Sequence, residues 1–61
     1  MNKEDVVKVM LESINADNRE LCKKAGMNDA EADSQIQQSQ PSLVFILSNA
    51  YDRLQEAGVL A

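Results

Sequence analysis

The sequence predicts an all-α fold: a helical hairpin of two longer helices joined by a short helix, completed as a dimeric four-helix-type bundle. Three observations carry this. Two segments repeat apolar residues at three- and four-residue steps, the spacing of one helical face. Start and stop signals bracket each segment. No strand alternation, hairpin dipeptide or internal repeat interrupts them.

The first helix is predicted over residues 3–25. Asn2 suits the N-cap, and Glu4 and Asp5 favour the positive end of the helix dipole. Lys23 and Lys24 fall in the last turn, and Gly26 stands just beyond, where a left-handed residue is needed. Val6, Val7, Met10, Leu11, Ile14, Leu21, Cys22 and Ala25 gather within an arc of roughly 160° at 100° per residue. Asn15-Ala16-Asp17-Asn18 prefers caps and turns, and Asp17 with Glu20 reads as a capping box that would restart the chain there. The apolar stripe runs unbroken across this stretch, so one helix is the better reading. Asn18 then lies inside the apolar face, where a polar group fixes register at some cost in stability.

The second helix, predicted over 29–40, starts on a capping box of Asn28 and Glu31, with Met27 placed to staple onto Ala32. Beyond Ala32 and Ile36 its interior is mostly Gln and Ser, so it covers little core. The third, over 41–57, begins at Pro41, whose missing N–H is not needed at a first helical position. Leu43, Ile46, Leu47, Ala50, Leu54 and Ala57 form its stripe, with Val44 and Tyr51 beside it. Gly58 ends it, and Val59 can fold back onto Leu54 in the Schellman arrangement.

Sixty-one residues make a single small helical domain, residues 1–61. A chain this short buries only about 60% of the surface its unfolded form exposes, and such chains are supplemented by disulfides, a metal or oligomerisation. One cysteine forms no internal disulfide, and without histidine there is no zinc ligand set. Oligomerisation remains. The two long helices each present an arc wider than the ~100° that covering a core from one side requires, so neither can seal the other. Two copies related by a two-fold axis would complete a four-helix bundle. The candidate interface residues are Met10, Ile14, Val44, Ile46, Leu47, Tyr51 and Leu54 on the bundle faces. Phe45 and Val9 join them from the polar sides of their helices, where an aromatic side chain in particular suits a protein contact.

With 10 acidic against 6 basic residues, the net charge of −4 offers no broad field for a phosphate backbone. The longest apolar block, residues 43–47, is far short of the ~20 residues that span a bilayer. No secretory pattern opens the sequence and its cysteine is single, so the expected location is cytoplasmic, away from membrane.

One local pattern bears on nucleic acid. Arg19-Glu20-Leu21-Cys22-Lys23-Lys24-Ala25-Gly26-Met27-Asn28 resembles the first half of a helix-turn-helix: a small residue, a glycine four positions on, then an apolar residue and a polar cap. That resemblance implies that the next helix reads DNA. It opens Asp29-Ala30-Glu31-Ala32-Asp33, carboxylates where base and phosphate contacts belong, and only the later Gln35, Gln37 and Gln38 suit readout. A helix end at Gly26 followed by a cap at Asn28 is the preferred reading.

Catalysis finds no support. There is no His, no activated Ser and no glycine-rich phosphate loop, and no cofactor site is expected. Cys22 belongs to the apolar arc, where a thiol serves packing. Asp29 and Asp33 share an exposed face, too sparse for a calcium loop. The expected function is a non-enzymatic protein–protein interaction module, a homodimeric regulator or inhibitor that binds another protein. The alternatives are a small nucleic-acid-binding regulator and a purely structural subunit.

Overall fold

In the computed structural model, which describes residues 1–60, two helices lie side by side. Helix α1 spans Lys3–Lys24 and α2 spans Asp29–Glu56. Ion pairs at both ends fix them as antiparallel: Lys3 Nζ meets Asp52 Oδ1 at 2.9 Å near the termini, and Lys23 Nζ meets Asp29 Oδ1 at 3.1 Å near the turn. Arg19 also pairs with Asp33. These groups are largely exposed, and such pairs contribute ~1 kcal/mol or less each. They select alignment more than they stabilise.

Every helix end follows local chemistry. The Asn2 side chain accepts the Asp5 N–H at the start of α1. Asn28 and Glu31 form the full capping box, each side chain accepting the other's backbone N–H. Both helices close in Schellman motifs. Met27 N–H bonds Cys22 O while Gly26 N–H bonds Lys23 O, and Val59 and Gly58 repeat the arrangement on Leu54 and Gln55. Gly26 at φ 90° holds the left-handed conformation that the motif demands and that a side chain resists.

Helix α1 runs through Asn15–Asn18 without a break. The short connecting helix, by contrast, does not exist as a separate element: the segments expected at 29–40 and 41–57 are one helix with Pro41 inside it. Proline there removes the bond from residue 41 to the Gln37 carbonyl and crowds that carbonyl, a cost of about 3 kcal/mol in a helix interior. Two features offset it. Pro41 and Gln37 both face solvent, so water can satisfy the freed carbonyl. Ala32, Ile36, Leu43 and Leu47 keep one inner face across the proline, and a break would turn half of them away from α1.

The hairpin measures 41 × 17 × 17 Å, with a radius of gyration of 13.7 Å, against about 10.5 Å for a compact chain of this length. Its accessible surface is 4506 Å², where a folded monomer of 6.7 kDa scales to about 3900 Å². Among the described residues only Val7, Ala32 and Leu47 are buried, and no large side chain is fully enclosed. The seam between the helices is partly polar. Asn15 and Gln40 bond across it, and Asn18, half-buried, shares a cleft of about 180 Å³ with Cys22, Gln35, Ile36 and Ser39.

Candidate functional site: an uncovered apolar flank

Two side-to-side contacts give the hairpin a polar flank. Asn15 meets Gln40, and Arg19 meets Asp33, on the same side of the seam. At 100° per residue, Val6, Met10 and Leu21 on α1 lie roughly 120–180° round from Asn15, and Ile46 on α2 lies roughly 120° round from Gln40. These four therefore share the opposite flank. Leu21 is 62% exposed and Ile46 56%, while Val6 and Met10 are half-buried. The apolar character is concentrated toward the termini, at Val6, Met10 and Ile46. Toward the turn the same flank carries Asp17 and Gln35, both exposed, with Leu21 a large apolar exception, and Ser42, also exposed, lies near the middle.

The candidate interface residues divide into five groups. Met10 and Ile46 stand on the apolar flank, with Ile14 half-buried at its inner edge. Val44 and Tyr51 belong to the polar flank. There Val44 joins Val7 and Leu11 as the apolar lining of an open groove of about 500 Å³ rimmed by Lys3, Glu4, Lys8 and Ser48, and the Tyr51 hydroxyl accepts a bond from Gln55 Nε2 at 3.0 Å. Phe45, 69% exposed, and Val9, also exposed, sit on the outer backs of their helices, opposite the buried Leu47 and Val7. Leu47 is sealed within the single hairpin at 8% exposure, so its side chain has little left to give a second chain. Leu54 is exposed near the end of α2.

Sequence reasoning placed Leu21 in the core, and the structure leaves it largely in water. Leu21 lies inside the apolar arc, between Met10 and Ile14, and the available signal was in the opposing segment: near the turn α2 offers Ala32, Ser34 and Gln35 and no large apolar side chain to cover it. Reasoning from one helix at a time also missed the roles of Arg19 and Lys23. These two side chains are held by carboxylates of the opposing helix, Asp33 and Asp29, while Lys24 pairs with Glu20 of its own helix.

That pairing bears on the helix-turn-helix resemblance. In such a motif the two helices meet at about 90–120° and the second is free to enter a groove. Here α2 folds back along the full length of α1, and the carboxylates of its first turns face basic residues of the same chain.

Among the described residues no group of three or more Cys, Asp or Glu is placed to hold a metal ion, and no helix is long and apolar enough to cross a membrane. Comparison of the chain with family models, curated proteins and solved structures returned no match.

Proposed function

We propose that the chain is a non-enzymatic protein–protein interaction module that first binds its own copy, pairing two hairpins into a four-helix bundle. The observation that carries this reading is the uncovered flank: Ile46 and Leu21 stand mostly in water on one side of a hairpin that, among the described residues, buries only Val7, Ala32 and Leu47. Burying apolar surface yields about 25 cal/mol per Å², and a second hairpin is the surface whose length and curvature match. Helices of a hairpin joined by a short turn also stack in the up-down order that keeps neighbouring dipoles opposed. In the assembled bundle Phe45 and Val9 remain outward. Phe45, the larger, is the contact offered to a further protein in a regulatory or inhibitory role.

Sedimentation equilibrium tests the reading. The expected mass is twice 6.7 kDa at micromolar concentration. Ile46→Glu should weaken self-association by roughly tenfold or more, since it sets a charge in an apolar contact. Phe45→Glu should leave the mass unchanged. A single-chain mass at every concentration tested would remove the proposal.

A further inference from the structure

We infer that the hairpin consists of two units of unequal stability, hinged at the level of Asn15, Gln40 and Pro41. The turn unit, residues 18–39, opens while the terminal unit, residues 3–14 and 41–56, stays closed. Both units belong to one chain, so the inference stands apart from self-association. Three observations carry it.

The first is where the apolar cover lies. Val7 and Leu47 are buried in the terminal unit, and Met10, Leu11, Ile14 and Leu43 are half-buried on the same two helices. In the turn unit the buried residue is Ala32, a single methyl group. The larger Met27 and Ile36 are half-buried there, and Leu21 stands in water. Exposed ion pairs, Arg19 with Asp33 and Lys23 with Asp29, add little to that. Apolar burial is what offsets the entropy of an ordered backbone, so the unit with less of it opens at lower cost.

The second is the polar layer between the units. Asn15 and Gln40 bond each other across the seam, and Asn18 and Ser39 line the cleft on its turn side. Ser39 Oγ and Gln40 Nε2 also donate to the Ile36 carbonyl, at 2.8 and 3.0 Å. Such bonds add little net stability, so the layer couples the two units weakly.

The third is that both helices carry a natural terminus at this level. Pro41 already lacks the bond to the Gln37 carbonyl, and its fixed φ suits the first position of a helix. A break there forfeits one backbone bond fewer than a break elsewhere in α2. On α1, asparagine at 15 or 18 can end a helix in the left-handed conformation. Residues 3–14 and 41–56 therefore remain as two properly ended helices packed through Val7 and Leu47. Opening uncovers Ala32, Ile36 and Cys22 without dissolving that core.

Hydrogen exchange of the full chain, resolved by residue with NMR, tests the hinge. After correction for intrinsic rates, amides of residues 33–39 should exchange about tenfold or more faster than those of residues 44–51. Pro41→Ala restores the bond to the Gln37 carbonyl and should narrow that gap, raising protection in 33–39 more than in 44–51. The double variant Asn15→Leu with Gln40→Leu replaces the amide layer with hydrocarbon and should narrow it as well. It keeps the test open if Pro41→Ala fails to fold, and narrowing by either variant supports the hinge. Equal protection of the two segments, faster exchange in 44–51, or a gap that neither variant narrows would overturn the inference.

Discussion

Asn15 and Gln40 form a reciprocal amide pair across the hairpin: Asn15 Nδ2 donates to Gln40 Oε1 at 3.2 Å, and Gln40 Nε2 donates back to Asn15 Oδ1 at 2.8 Å. The same nitrogen of Gln40, the residue before Pro41, also donates to the Ile36 carbonyl at 3.0 Å. Two amides that satisfy each other fix the axial alignment of α1 and α2, because sliding either helix by a turn leaves both groups partly desolvated and unpaired.

Asn15→Ala should therefore lower stability by about 1 kcal/mol, the usual net worth of such bonds, with part of the loss arising from the unpaired Gln40. Replacing both residues with Leu should recover much of it, since an apolar pair has no unmet donors. Urea unfolding of the two single variants and the double variant measures the coupling. Additive losses would show that the pair does not act as a unit.

Pro41→Ala should raise stability by about 1–3 kcal/mol. It returns an N–H to the Gln37 carbonyl and removes a ring from a helix interior, less the entropy that proline withdraws from the unfolded chain. The thermal midpoint by circular dichroism reads this directly. A lower midpoint would mean that Pro41 starts a helix rather than interrupting one.

How much of this was legible in the sequence divides by range. Caps were legible, because Asn2, Asn28, Gly26 and Gly58 act on backbone groups within a few residues. Pro41 was misread for the same reason in reverse. Its local preference is to begin a helix, and only the inner face shared with α1, from Ala32 to Leu47, keeps α2 continuous through it. The flank depended on how two helices turn toward each other. What each residue meets on the opposing helix decides that Leu21 is outside while Leu47 is sealed, and no single-helix wheel contains it. The exposure of Phe45 was visible from its place among Ser48, Asn49 and Asp52.

Leu47→Ala should cost about 2–5 kcal/mol, the range for truncating a buried leucine. Stability near 0.05–0.15 kcal/mol per residue gives a chain of this size only about 3–9 kcal/mol, so the variant should lose a large fraction of it and melt at a markedly lower temperature. Phe45→Ala, on the outer face, should leave helical content and midpoint nearly unchanged. Equal losses from the two would mean that Phe45 is covered in the native protein.

Gly26→Ala should cost about 1–2 kcal/mol through backbone strain alone, as no atom lies within 4 Å of the Cβ it would add. Gly26→Asn should cost less, because asparagine tolerates the left-handed region. Denaturant midpoints for the pair check the ordering. Equal costs would point to a role for Gly26 other than its φ angle.

The proposed pairing of two hairpins would make stability depend on a second chain, and the change of the thermal midpoint with protein concentration tests this most directly. If two hairpins complete one bundle, the midpoint must climb as the chain is concentrated, by mass action. A fully helical chain whose midpoint stays constant over a thousandfold range of concentration would contradict it.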